Sequence, residues 1–281
     1  MKVYKTNEIK NIALLGSKGA GKTTLTESML LECGVIKRRG SVEQKSTVSD
    51  YFPVEKEYGY SVFSTVFYAE FNGKKLNVID CPGADDFVGS AVTALNVTDA
   101  GLIVVNGRYG VEVGTQNIYR TASKLKKPII FAVNQLDADD FDNVVEQLKE
   151  HFGNKVVPVQ FPINAGPGYN AMVDVLTMKK YTWGPDGGEP KVEDIPADLK
   201  DRADELNAAL IEAAAENDES LMEKFFDQGS LSEDEMREGI RKGLIDRSIC
   251  PVLCVSALKD MGVRRMMEFL GNVVPFVNEM P

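Results

Sequence analysis

The run from Asn11 to Thr24, Asn-Ile-Ala-Leu-Leu-Gly-Ser-Lys-Gly-Ala-Gly-Lys-Thr-Thr, constrains this chain more than any other stretch. Ile12 to Leu15 is an apolar run short enough for a buried strand, Gly16 follows it, and Gly21, Lys22 and Thr23 lead into an amphipathic helix with Leu25, Met29 and Leu30 inward. Strand, glycine-rich loop and helix in that order make a cradle for phosphate. Backbone N–H groups at the helix start converge on one concavity, and the small residues of the loop let phosphate oxygens approach them. Gly16, Ser17, Lys18, Gly19, Ala20, Gly21, Lys22, Thr23 and Thr24 are therefore candidate nucleotide-binding positions. Lys22 would reach the β- and γ-phosphates and Thr23 would ligate Mg²⁺. A glycine-rich turn of no chemical consequence is the alternative; the strand-to-helix context argues against it.

With 281 residues and 43% of them hydrophobic, the chain can bury a sizeable core as one large or two modest domains. No apolar run reaches the length of a membrane span, and the first ten residues lack the apolar core of a signal peptide, so a cytoplasmic location without membrane contact is expected. Cys33, Cys81, Cys250 and Cys254 show no metal-ligand spacing and read as buried free thiols. The one histidine, His151, reads as a polar residue near a helix end, which leaves no evident catalytic histidine. The net charge of −10 is concentrated between Gly184 and Cys250, where 19 acidic residues face 8 basic ones. That excess argues against sequence-specific nucleic-acid binding by this segment.

After the first helix, Lys37 to Tyr60 is polar, lacks helical periodicity and reads as a long mobile loop, of the kind that carries function. Alternation from Ser61 through Glu70, Asn72-Gly73, and Leu76 to Asp80 predicts a hairpin. Its second strand ends in Asp80-Cys-Pro-Gly83, where the Asp80 carboxylate can hold Mg²⁺ through water and the Gly83 N–H can bond a γ-phosphate. Strands at Gly101–Asn106 and Pro128–Asn134 alternate with helices at Thr115–Lys126 and Asp142–Phe152. This is the pattern of a mostly parallel sheet with helices on both faces. Asn134 and Asp137, with Gln135 between them, can take a purine; a carboxylate accepting from the ring N–H and exocyclic amino group selects guanine. A last strand, Pro251–Val255, leads to Ser256, Ala257, Leu258 and Lys259, whose backbone could close over the base, and a helix at Val263–Val274 follows. All these sites fall at carboxyl ends of strands, where open α/β sheets bind ligands.

With these residues placed, the chain resembles the translational GTPases, most closely the first domain of elongation factor G. The resemblance runs nearly end to end, through the phosphate loop, a first switch near Asp50 to Val62, Asp80-Cys-Pro-Gly83, Asn134-Gln-Leu-Asp137 and Ser256-Ala-Leu-Lys259. It implies a P-loop GTPase fold, with residues 1–156 and 250–281 as the GTP-binding domain and 157–249 as an acidic α+β insert subdomain. Within the insert, Leu199, Ala203, Leu206 and Leu210 share a helix face, Ser232-x-x-Glu235 is a capping box, and Trp183 reads as a packing residue. Family members continue into further domains, which are expected beyond Pro281. The implied cofactors are GTP or GDP with Mg²⁺; the implied partners are the ribosome and, through the insert, the ribosomal stalk protein.

Departures from the family pattern bear on mechanism. The family's Asp-x-Pro-Gly-His places a histidine to position the attacking water; here that place is Ala84. Gly19 stands where an Asp is usual, and Tyr58-Gly59-Tyr60-Ser61 where the family has Arg-Gly-Ile-Thr, so Ser61 keeps the hydroxyl of a second Mg²⁺ ligand. Gln135 replaces the usual Lys and is expected to cover the base less well. Asp85 or Asp86 could replace the histidine but reads more simply as a first-turn helix residue. The leading reading is a ribosome-associated GTP-binding domain of the elongation factor G type, acting in translocation, with weak or absent hydrolysis. A ribosomal protection or release-type GTPase, and a scaffold that no longer binds nucleotide, are the alternatives.

Overall fold

In the computed structural model, which describes residues 2–136, 141–185 and 187–280, the apolar run before Gly16 is strand β1 (Ile9–Leu15), with Ile12 to Leu15 all buried. Lys22 then opens helix α1 (Lys22–Glu32). A short helix α2 (Pro53–Tyr58) precedes the hairpin β2 (Thr65–Phe71) and β3 (Lys74–Asp80). Next come α3 (Val88–Val97), β4 (Ala100–Asn106), α4 (Val113–Lys124), β5 (Ile129–Asn134), α5 (Phe141–Phe152) and β6 (Val156–Pro158). A second group follows: β7 (Gln160–Pro162), β8 (Ala171–Asp174), β9 (Lys179–Gly184), β10 (Gly187–Glu193), α6 (Ala197–Ala215), α7 (Glu219–Gln228) and α8 (Glu233–Asp246). Strand β11 (Cys250–Cys254) and helix α9 (Val263–Val273) complete the series.

Seven strands form one sheet in the order β2-β3-β1-β4-β5-β11-β6. Only the β2–β3 pair is antiparallel. Every residue of β4, β5 and β11 is buried, as a parallel strand covered on both faces requires. The chain reaches β3 on one side of β1 and β4 on the other, so the loop after β1 sits at the switch point of the sheet. The register aligns Leu14 with Asp80 and Asn106 with Asn134, which brings the strand ends carrying the expected motifs to one edge.

Strands β7 to β10 make a separate four-stranded antiparallel sheet in the order β10-β9-β8-β7. Helices α6 and α8 pack closely on each other: a Cβ on Gly239 would lie 2.5 Å from the Ala214 carbonyl. Trp183 is buried, and the Ser232 hydroxyl accepts from the Glu235 N–H as the capping box predicts. The expected insert boundary at residue 157 falls inside β6, which pairs with β11 in the large sheet; the chain leaves that sheet just after Val159, whose N–H still donates to the Val252 carbonyl. Between the two sheets, Arg265 of α9 meets Asp174 of β8 at 3.0 Å, and Gln160 joins Asp174 to the Cys254 N–H at 3.0 Å each.

Two local expectations change. The segment Lys37–Tyr60 is not free of helix, because Pro53 starts α2, the Glu55 carboxylate accepts from the Phe52 N–H, and left-handed Gly59 stops it. A helix of six residues is too short to show periodicity. The first hairpin strand starts at Thr65 rather than Ser61, because the Val62 and Phe63 N–H groups are taken by Glu55 Oε1 at 3.0 and 3.1 Å. The turn itself is as expected, with Asn72 at φ 46° and Gly73 at φ 77°. The four cysteines are free, Cys33 half-buried and the others buried, and His151 is exposed at the end of α5. Among the described residues, no helix is long and apolar enough to cross a membrane.

Candidate nucleotide-binding site

The loop after β1 closes on backbone contacts that exclude larger residues. A Cβ on Gly16 would lie 2.4 Å from the Val104 carbonyl, and Gly21, at φ 89°, has the Asn134 amide 2.4 Å from the same position. Gly21 caps α1 without a side-chain acceptor, so the first N–H groups of the helix remain open toward the loop. Lys22 is buried and folds back along the loop, donating to the Gly16 and Ser17 carbonyls at 2.8 and 3.0 Å. Burial pushes its ammonium below the usual lysine range, with the Asp80 carboxylate opposing that shift. Ser17 packs near Thr115, hydroxyl to hydroxyl at 3.4 Å, while Lys18 holds its ammonium 3.7 Å above the Tyr60 ring.

Hard oxygen donors gather beside Lys22. The Thr23 and Ser61 hydroxyls lie 3.1 Å apart, joining the start of α1 to the segment before β2. Asp80 accepts from the Thr26 hydroxyl at 3.2 Å through one oxygen, while its other oxygen, Oδ1, is buried without a partner. Asp50 Oδ1 is likewise buried and unpartnered. Burial pushes the Asp80 carboxyl up to about 7 against the pull of Lys22, and raises that of Asp50 against a hydrogen bond from Ser61. Two hydroxyls and two incompletely paired carboxylates suit a small hard cation such as Mg²⁺. Among the described residues no group of three or more His, Cys, Asp or Glu could hold a metal. A divalent cation here would thus need phosphate oxygens and water to complete its shell.

A cavity of about 310 Å³ is bounded by Lys18, Lys22, Thr23, Asp50, Ser61 and Gly83; Asp80 is buried and not on its lining. Gly83 lies against the loop so closely that a Cβ there would meet Lys22 Nζ at 2.3 Å and the Lys18 N–H nitrogen at 2.8 Å. Ala84 also lines this cavity and brings no donor or acceptor from its side chain. Asp85 and Asp86 belong to a 3₁₀ turn, Asp85–Phe87, ahead of α3, rather than to a first α-helical turn; neither lines the cavity. A second cavity of similar volume lies between α3 and α4, with Ala91 and Ile118 on its wall and Arg120 and Lys124 at its rim. It reaches Gly83 and Ala84 but none of Lys22, Thr23 and Asp80.

The base end is assembled from separate segments. Asn134 is buried; its amide donates to the Ala20 carbonyl at 2.9 Å and its carbonyl accepts from the Ala257 N–H at 3.0 Å. Gln135, at φ 64°, donates to the Gly19 carbonyl at 2.9 Å and accepts from the Asn106 amide at 3.1 Å. Its side chain is therefore fixed across the phosphate loop. Ser256 and Met261 exchange backbone bonds at 2.9 and 3.1 Å, which closes the loop of Ala257, Leu258 and Lys259; the Leu258 side chain is exposed. Asp137, expected to read the base, lies outside the described residues.

The structure thus brings together Gly16 to Thr24, Ser61, Asp80, Gly83, Asn134, Gln135 and Ser256 to Leu258 along one edge of the sheet. Sequence reasoning missed several supporting groups. Glu27 is buried and accepts from the Gly40 and Val48 N–H groups at 2.6 Å each; Glu55 holds Val62 and Phe63; Ser28 donates to the Ala257 carbonyl at 2.7 Å; Arg39 reaches the same loop. Adjacent polar residues inside α1 were the available signal for Glu27 and Ser28, since an amphipathic helix seldom turns such groups inward.

Comparison with known proteins gives two findings. The family model described as the elongation factor Tu GTP binding domain matches residues 7–276. A crystal structure of a protein from Thermus thermophilus is 30% identical with a TM-score of 0.90, over 96% of this chain and 41% of that one. This chain therefore spans less than half the length of that protein.

Proposed function

We infer the function from one premise: the chain belongs to the translational GTPases, as a GTP-binding domain of the elongation factor Tu type. We propose that it is the nucleotide switch of an elongation factor G-like protein that acts on the ribosome in translocation, in the cytoplasm, with slow or absent GTP hydrolysis. The observation that carries the nucleotide reading is the pairing of an open helix N-terminus and buried Lys22 with the unpartnered oxygens of Asp80 and Asp50. A phosphate–metal pair supplies what both halves lack, anion for the first and cation for the second.

In this reading the loop N–H groups and Lys22 hold the phosphates, while Thr23, Ser61 and Asp80 would hold Mg²⁺, which would supply positive charge to the phosphate oxygens. Ser61 and Gly83 come from the two segments that would order around the γ-phosphate and loosen once it leaves. Asn134 fixes the base loop and Asp137 selects guanine. Slow hydrolysis follows from Ala84, because no side chain there can orient water, and neither neighbouring aspartate lines the cavity. With hydrolysis slow, the switch resets by exchange of nucleotide. The acidic insert, 157–249, is proposed as the surface for the ribosomal stalk protein.

Equilibrium binding of GDP, GTP and ADP with Mg²⁺ tests the first part. Guanine nucleotides should bind and ADP should not, and Asp137→Asn should remove that preference; no binding of any nucleotide would replace this reading with a scaffold. Ribosome-stimulated phosphate release tests the second. Ala84→His should raise the rate by about 10²- to 10⁴-fold, the usual range for a positioned acid–base group. A wild-type rate equal to that of an ordinary elongation factor G would refute slow hydrolysis.

A further inference from the structure

The loop expected to close over the base is held from outside by the segment that leads to the metal end. Arg39 Nη1 donates to the Ala257 carbonyl at 2.6 Å, and Nη2 donates to the Leu258 carbonyl. Ser28 of α1 reaches the same Ala257 carbonyl, while Asn134 takes the Ala257 N–H, so both polar ends of that residue are engaged. A guanidinium fork suits two neighbouring carbonyls, and its charge makes these bonds stronger than neutral ones.

The segment that carries Arg39 is anchored to α1 just ahead of the first switch. The next residue, Gly40, donates its N–H to Glu27 Oε2, and Val48 donates to Glu27 Oε1, so one buried carboxylate holds both ends of the 40–48 loop. A Cβ on Gly40 would lie 2.4 Å from the Ser46 carbonyl, which leaves this loop little room to rearrange while closed. Past Val48 the chain passes Asp50, then α2 under Glu55, then Ser61 beside Thr23. One stretch of backbone, fastened at Glu27 and at Glu55, therefore joins the back of the base loop at Arg39 to the metal end of the cleft at Ser61.

We propose that Arg39 is a positioning residue that couples the first switch to the base loop, so that an ordered switch clamps the guanine and a loosened one lets it leave. The proposal rests on the nucleotide-switch reading above and adds how exchange is gated: with no γ-phosphate to order the switch, the segment that carries Arg39 is freed, so GDP departs faster than GTP.

The test is the release rate of fluorescent GDP and of a fluorescent nonhydrolysable GTP analogue, in the presence of Mg²⁺, from wild type, Arg39→Ala, Arg39→Lys and Glu27→Gln. Arg39→Ala should speed release of the GTP analogue about 10- to 100-fold, as expected for losing charge-assisted bonds, and GDP release by less than about threefold. Arg39→Lys, with one ammonium in place of the fork, should fall between. Glu27→Gln, which cannot accept both N–H groups, should act in the same direction, and the double variant should show less than the product of the single effects. Equal acceleration of both nucleotides would assign Arg39 a purely structural role and overturn the coupling. Unchanged release with normal wild-type binding would overturn it as well. A wild-type chain that binds neither nucleotide would overturn the switch reading itself, and the coupling with it.

Discussion

At the phosphate end of the cleft the donors come from one contiguous stretch, Gly16 to Thr24, and the acidic groups facing them, Asp50 and Asp80, keep a buried oxygen without a partner. At the base end the groups come from β5, the loop after β11, α1 and the segment after it, and the polar atoms of Asn134, Gln135 and Ala257 are engaged within the protein. The first arrangement leaves polarity in waiting for a ligand. The second holds its shape through contacts within the protein. A switch needs both, because one part must gain contacts from the phosphates, whereas the other must present a defined shape to the base.

The sharpest way to break this contrast is to remove Lys22. Lys22→Met should weaken GDP and GTP binding by about 10²-fold or more, since a charge-assisted contact to phosphate is lost. The unfolding free energy of the nucleotide-free chain should stay within about 1 kcal/mol of wild type, because the two carbonyl bonds lost offset the removal of a buried charge. Titration calorimetry and urea denaturation read the two halves separately. Asn134→Ala should do the reverse in the absence of ligand, lowering the unfolding free energy by about 2 kcal/mol through two lost buried bonds. If Lys22→Met destabilises the empty chain more than Asn134→Ala, the two ends are not built as described.

A smaller effect refines the base end. Asp260, at φ 55° just past the base loop, has its carboxyl raised well above the usual carboxylate range by burial and by the facing Glu32, with Arg39 opposing. The folded chain then holds this proton more tightly than the unfolded chain, where an Asp titrates near pH 4. The stability it contributes is present below that pH and is lost as pH rises toward neutrality. Asp260→Asn should flatten that decline, measured as denaturation midpoints at pH 5 and pH 8. An unchanged slope would remove Asp260 from the account.

Much of this site was legible in the chain. The phosphate loop and the positions of Asp80, Gly83, Asn134 and Ser256 follow from short apolar runs ending in polar punctuation, since a buried parallel strand must stop where its motif begins. Register at the sheet then follows, and Asn106 facing Asn134 places neighbouring strand ends level. Other expectations needed more than a window of sequence. Gln135 looked like a weakened cover for the base, yet its amide spans the Gly19 carbonyl and the Asn106 side chain. The segment Lys37 to Tyr60 read as a long mobile loop, yet Glu55 and Glu27 organise it through backbone N–H groups.

By itself the sequence determined most strands of the large sheet and the helices between them, a glycine-rich loop between the first strand and its helix, and that Ala84 brings no polar group to the place of the family histidine. These are local properties, written in periodicity, glycine placement and residue chemistry. Only the tertiary structure decided that one oxygen each of Asp80 and Asp50 lacks a partner, that Glu27 turns inward, and that Arg39 reaches Ala257 across 218 positions of sequence. Whether a polar side chain finds a partner depends on which distant backbone groups the packed core brings beside it, and no local pattern encodes that.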